Sequence, residues 1–405
     1  MSDTMRPVPI EGLLNRVLGE LEQERSIFGI PEYLFLENRR RAVGFSDTAV
    51  QPDGPVIGPA AGPHTQLAQN IIAAYLTGGR FFELKTVQQL DTLDIEKPCI
   101  DARDECFNTE WSTEFTLEKA YAEYIKAWAM LHLLKTAGLG GDFIFNMSVG
   151  YDLAGIQTEK MDRYIEGMID ATKNGFFTDT VARMQAYLAS NKAKTAVLHG
   201  RAGTARTIDA SGMVPSRICP SVTLSTMHGC PPDEIEKICE YLLTEKKLHT
   251  YVKLNPTLLG FSTVKEILDG LGFGYISLRE ESFEHDLHYD DALNMIGRLR
   301  KLAAPRGLSF GVKLSNTLGV ANNADTLPGD EMYMSGRPLF PLTVTVAARL
   351  AQEFDGDLPI SFCGGVTAAN IEELYACGVA PITMATDLLK PGGYLRLLQA
   401  AERLQ

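Results

Sequence analysis

The chain is predicted to be an α/β protein, a (β/α)8 TIM barrel with an N-terminal extension and a helical insertion. Three observations predict it. From Pro55 onward short apolar runs alternate with longer helical stretches, the pattern of repeated βα units around a parallel sheet. The stretch PSVTLSTMHGCPPDE (Pro220 to Glu234) reads as a strand that ends in hydroxyls and a thiol and then feeds a helix at Pro231 and Pro232. Near the C-terminus two successive strands each run into a turn of small residues, as barrels build their phosphate sites.

Taken in order, residues 1–53 form an N-terminal cap or docking segment with an amphipathic helix from Ile10 to Glu24 and a basic run from Asn38 to Arg41. Residues 54–405 form the barrel. Its candidate strands are Val56 to Ala61, Arg80 to Val87, Asp142 to Val149, Ser221 to Ser225, Tyr251 to Asn255, Tyr275 to Arg279, Ser309 to Asn316, Pro359 to Gly364 and Pro381 to Thr386. That is one more than eight places allow, and Tyr275 to Arg279, followed by many charges, is expected to lie outside the barrel. The helical insertion covers about 150–216, with helices from Glu159 to Thr172 and from Thr178 to Ser190. Insertions of this size decorate a rim or build a subunit contact.

At 405 residues the chain fits one barrel with insertions. Its 45% hydrophobic and 22% charged residues are those of a soluble globular protein, so a large core is expected. A net charge of −13 argues against nucleic acid or an anionic membrane as partner, because both are repelled at long range. No segment reaches the roughly 18 uncharged apolar residues of a membrane span. The seven cysteines form no CxxC pair, which fits a reducing compartment, the cytoplasm, and neither an iron–sulfur cluster nor a metal site within the chain.

Several stretches carry candidate chemistry. GPAAGPHT (Gly58 to Thr65), with Ala61 and Gly62, lets a planar ligand lie against backbone amides after a strand. Lys85 stands at a strand end among apolar residues, where it either snorkels or meets an anion such as a reduced flavin ring. VKLNPT and VKLSNT are an echo that puts Lys253 with Asn255, and Asn316 with Thr317, at the same end of a barrel. In ECFNTEWSTE, a long rim loop, Asn108 and Glu110 can hold a heterocycle by paired donors and acceptors while Phe107 or Trp111 stacks on it. Gly364 and Gly365, then Ala385 and Thr386, read as phosphate turns. His228 is the histidine best placed for chemistry, and His285 and His288 read as part of a solvated acidic loop.

With these stretches in view, the chain resembles the flavin barrel of the dihydroorotate and dihydropyrimidine dehydrogenases. It resembles more closely the N-terminal portion of the bacterial selenate reductase subunit family, multidomain relatives of dihydropyrimidine dehydrogenase. The resemblance runs through MRPVPIEGLL, RSIFGIPE, GPAAGPHTQLAQN, KPCIDARDECFNTEWSTEF, NMSVGYDLAGIQ, TMHGCPPDEIE, VKLNPTLLG, EMYMSGRPLFPLT and ATDLLKPGGY. It implies a dihydroorotate dehydrogenase-like barrel that binds FMN at its C-terminal rim. Lys85 matches the lysine near the flavin ring, and Lys253 matches the lysine of the fifth strand. Asn316 and Thr317 resemble an Asn-Thr pair beside flavin and substrate, Gly364, Gly365, Ala385 and Thr386 match the phosphate turns, and Asn108 and Glu110 resemble a substrate-holding Asn-x-Glu.

The departures shape the expected activity. Where relatives have Asn-Leu-Ser followed by Cys or Ser, this chain has Thr223, Leu224, Ser225 and Thr226. Thr226 thus takes the acid/base place, although threonine needs an activating partner. Cys230, at a helix entrance where a thiol pKa falls, is the alternative, or else it is buried and inert. The expected reaction is flavin-dependent reduction or oxidation of a C=C bond in a small purine- or pyrimidine-like ring, or reduction of selenate as the family label suggests. Electrons are expected from a separate iron–sulfur and FAD/NAD(P)H-binding subunit in a hetero-oligomer, unless the chain is a fragment. Two other readings stand beside this one: a barrel that has lost its chemistry and docks within an electron-transfer complex, and a phosphate-sugar barrel using Gly364 and Gly365.

Overall fold

The computed structural model describes residues 5–36, 57–90, 95–109, 112–191, 196, 198, 214–226 and 228–404. Glu110, Trp111, Met227 and the basic run at Arg39 to Arg41 lie outside the described residues.

Eight parallel strands form a nearly closed barrel: β1 (Ile57–Pro59), β2 (Phe81–Glu83), β3 (Ile144–Val149), β4 (Ser221–Leu224), β5 (His249–Leu254), β6 (Phe310–Leu314), β7 (Ile360–Phe362) and β8 (Ile382–Met384). The ladder runs without a break from β2 through β3, β4, β5, β6, β7 and β8 to β1. The remaining seam, between β1 and β2, is crossed by the Arg80 amide donating to the Ile57 carbonyl at 2.7 Å. Gly58 makes that approach possible, since a Cβ there would sit 1.7 Å from the Phe81 carbonyl oxygen. Apolar side chains such as Val222, Leu224, Val252, Leu254, Val312 and Leu314 are buried along the strands, as a packed parallel barrel requires.

Tyr275 to Arg279 is not a barrel strand. Leu278 makes a single antiparallel bridge to Val320, at the edge of a second sheet above the mouth. This sheet has four short strands in the order Leu318–Ala321, Glu331–Ser335, Cys106–Asn108, Ile100–Asp101, all antiparallel. The expectation of a loop over Glu105 to Glu114 is corrected here, because Cys106–Asn108 is a strand. It pairs on one side with the nearby Ile100–Asp101 and on the other with Tyr333 to Ser335, more than 200 positions away, so local pattern carried no sign of the second pairing.

The insertion helices span Glu159–Ile169 and Gly175–Ser190, and both pack on the long helix Leu117–Thr136. The second begins earlier than apolar spacing alone suggests, because the Asn174 side chain accepts the Phe176 amide at 3.0 Å and caps the helix there. The N-terminal helix, Ile10–Gln23, buries Leu13, Leu14, Val17, Leu18 and Leu21 at helical spacing and packs on Gly175–Ser190. Arg183 donates to Glu11 across that contact at 2.6 Å. Among the described residues no helix is long and apolar enough to cross a membrane.

Candidate active site

At the C-terminal ends of the strands two cavities of about 380 and 490 Å³ adjoin, both lined by Ala61, Lys253, Thr317, Ser335, Ala385 and Thr386. They form one mouth with an inner and an outer compartment, on the face where a parallel barrel presents its loops.

The floor of the inner compartment is charged. Lys313 on β6 pairs with Glu83 on β2, Nζ to Oε1 at 2.9 Å, and both side chains are buried. The same ammonium donates to Thr383 Oγ1 at 2.6 Å and Ser361 Oγ at 3.1 Å, while the Thr383 hydroxyl donates to Glu83 Oε2 at 3.1 Å. Each charge is thereby hydrogen-bonded as well as paired, which makes its burial tolerable. Lys253 on β5 stands in direct register with Lys313 and lines both compartments. Among the described residues no carboxylate lies within ion-pair distance of it.

One wall is a pair of turns. Gly364 and Gly365 have φ of +115° and +69°, left-handed values that glycine adopts without strain. A Cβ on Gly365 would lie 2.5 Å from the Gly336 carbonyl, and one on Gly364 would lie 2.7 Å from Thr343 Oγ1. The Asn370 side chain holds the turn by donating to the Gly365 carbonyl and accepting the Thr367 amide. The amides of Gly364, Gly365, Ala385 and Thr386 donate to no group among the described residues. Arg396 flanks this wall, held on Asp387 at 2.9 Å, and Asp387 is itself shifted upward by burial, partly offset by that guanidinium. Arg337 and Lys390 complete a cationic edge, anchored on Glu105 and on the Asp104 carbonyl.

The outer compartment is lined by Lys85, Asn108, Thr226, Asn316 and Tyr333. Lys85 is buried at the end of β2. Asn108 donates to the Tyr333 carbonyl at 3.3 Å, which leaves the acceptor capacity of its Oδ1 unused by that bond. Thr223, at the place where relatives carry an amide, accepts a hydrogen bond from Asn146 on β3 at 2.8 Å, so an amide is present but held by the adjacent strand.

The residues singled out from the sequence do not all meet. Ala61, Gly62, Lys85, Lys253, Asn108, Thr226, Asn316, Thr317, Gly364, Gly365, Ala385 and Thr386 line the mouth. Glu110 lies outside the described residues. Asn255 is turned away, donating to Asp286 Oδ2 at 2.9 Å. Cys230 lines neither compartment, and its thiol is not activated: burial, followed by Glu234, Asp152 and Asp233, pushes it up to about 11. The lowered pKa expected from the helix entrance is thus corrected, since burial, with three carboxylates adding to it, outweighs the helix end.

The family described as Oxidoreductase YgfK, N-terminal TIM-barrel domain, matches residues 28–405. The chain belongs to that family. It is 54% identical over 418 residues to YgfK of Escherichia coli strain K12, an oxidoreductase by name, and matches its counterpart in Escherichia coli O157:H7 equally. The match covers 100% of this chain and 39% of those relatives. The fold is also that of the ligand-free type DHODH from Eimeria tenella, with a TM-score of 0.51 and 14% identity over 86% of this chain and 83% of that one.

Within this YgfK-type barrel, sequence reading missed Glu83, Lys313, Tyr333, Ser335 and Arg396. Lys313 was within reach, as the second lysine of the VKL echo. Tyr333 sits in EMYMSGRPLFPLT, a stretch noted only for its likeness to relatives, and Glu83 precedes Lys85 by two positions, in the same strand-end motif.

Proposed function

We propose that the chain is an FMN-dependent oxidoreductase subunit of the dihydroorotate/dihydropyrimidine dehydrogenase type, acting on a C=C bond of a small purine- or pyrimidine-like heterocycle. The observation that carries the reading is the coexistence, in one mouth, of a turn of undonated amides at Gly364, Gly365, Ala385 and Thr386 and of the cations Lys253 and Lys85 beyond it. The donor set fits the cofactor. Amides and Arg396 suit a phosphate, and the small residues Ala61 and Gly62 leave the wall flat for a ring system. Bound there, FMN supplies hydride transfer at its ring.

The chain's own groups have separable tasks. Lys253, without a carboxylate partner among the described residues, would favour negative charge on a ring bound in the mouth. Asn108 and Thr317 orient the substrate's polar edge. Thr226, exposed to the outer compartment, is the residue placed to hand a proton to the substrate, because Cys230 is displaced and protonated at neutral pH. Electrons come from an iron–sulfur and FAD/NAD(P)H-binding partner. Selenate, an oxyanion, would meet the same lysines and amides but has no use for a flat wall.

The deciding experiment is the absorbance spectrum of the purified chain, before and after incubation with FMN. A flavin spectrum with near-stoichiometric FMN is expected. Protein that stays colourless after reconstitution overturns the proposal, and FMN binding without turnover of any heterocycle under anaerobic reduction favours a docking role.

A further inference from the structure

We infer that Tyr333, backed by His228, is an aromatic platform on which the planar ring of the substrate stacks, a wall of the site that sequence motifs did not assign. The inference deepens the proposed function and rests on its ring-shaped substrate.

Tyr333 lies on the rim strand Glu331–Ser335, directly opposite Asn108 in the antiparallel register. It is among the residues that line the outer compartment. The His228 ring packs on it, with centroids 5.2 Å apart and planes inclined by 32°, and His228 does not line the cavity. The imidazole therefore packs on the tyrosine ring from outside the cavity, and sets its orientation from behind. The hydroxyl donates to Glu331 Oε2 at 3.2 Å, which fixes the far end of the ring.

The backing is itself anchored. Asp286, buried to 5% exposure, accepts the Gly229 amide at 2.8 Å, the Thr257 hydroxyl at 2.8 Å and the Asn255 amide at 2.9 Å, and faces His228 Nδ1 at 3.3 Å. Asn255 Nδ2 also lies 3.1 Å from that nitrogen. This gives Asn255 a task other than contact with substrate: it and Asp286 are positioning residues that hold the imidazole against the tyrosine. A platform immobilised in advance loses little entropy when a ligand stacks on it. Since Asn108 donates to the Tyr333 carbonyl, the face and the edge-reading amide move as one unit. The ligand class that exploits both is a flat heterocycle with an N–H on its edge, such as a uracil or hypoxanthine ring.

The test is calorimetric titration of uracil, hypoxanthine and selenate into the chain, with and without FMN. Y333L should weaken binding of both rings about tenfold, Y333F should stay within about twofold, and selenate affinity should be unchanged in both. H228A should weaken ring binding several-fold with Tyr333 intact, which keeps the inference testable if Y333L fails to fold. Undiminished ring affinity in folded Y333L or H228A overturns it, as does wild-type protein that binds neither ring in either state. Ring binding by protein that never takes up FMN overturns the cofactor assignment and leaves the platform standing.

Discussion

Lys253 and Lys313 stand side by side on adjacent parallel strands, yet among the described residues Glu83 is paired with Lys313 alone. One carboxylate between two ammonium groups leaves a surplus positive charge under the mouth, and the hydrogen bonds decide that the surplus resides on Lys253. Opposite charge desolvated at close range is worth far more than at the surface.

Lys253 should therefore set the redox balance of a flavin bound above it. With K253M the midpoint potential of bound FMN is expected to fall by on the order of 30 mV or more, a tenfold change in a two-electron equilibrium. Spectroelectrochemical titration of wild type and variant measures this. An unchanged potential would remove Lys253 from the ring's surroundings.

Lys313 should act on stability. In K313M the Glu83 carboxylate is stranded in the barrel, with an expected loss of about 3–5 kcal/mol. The double variant E83Q/K313M removes both charges and should recover most of that loss. Urea denaturation of wild type, E83Q, K313M and the double variant checks the cycle, and a double variant no more stable than K313M would show that the pair is not the source of the effect.

Cys230 should be a bystander. With its thiol held near 11 by burial and neighbouring carboxylates, alkylation by iodoacetamide at pH 8 is expected to be slow, and to accelerate as the pH rises toward 11. Peptide mass spectrometry separates it from the exposed Cys377. C230S should keep full turnover, whereas T226V should lose about 10²-fold or more if the hydroxyl handles the proton.

The barrel was legible because most of its strands are short apolar runs followed by small or polar residues, and because Gly364 and Gly365 follow one of them as a turn. The rim sheet was not, since Cys106–Asn108 has only three residues and pairs with a strand beyond position 330. Residue type alone did not separate Lys253 from Lys313. Both end a VKL strand, and which keeps its charge available depends on Glu83, contributed by the second strand rather than by a sequence neighbour. Cys230 misled for a related reason. A helix entrance is visible in the sequence, but Asp152, whose charge also bears on the thiol, comes from a separate segment.

Acid should unfold the protein through two histidines that the fold holds neutral. Burial is the main cause in both: it depresses His64, where the charge of Lys85 adds, and His132, where Lys135 adds, from the ordinary 6.5 to about 4. Unfolded chains bind protons at these sites below pH 6.5, and the folded protein does not until about pH 4. Their contribution is thus fully present above pH 6.5 and is lost as the pH falls toward 4, by up to about 3 kcal/mol for each group. His132 lies edge-on to Trp128 at 4.6 Å and beside Phe143 at 4.9 Å, so H132F keeps the packing and removes the titration. Denaturation midpoints measured from pH 7.5 to pH 4 should fall less steeply in H132F than in wild type. Parallel slopes would mean that His132 binds its proton equally well in the folded and unfolded states, and that its burial does not govern its charge.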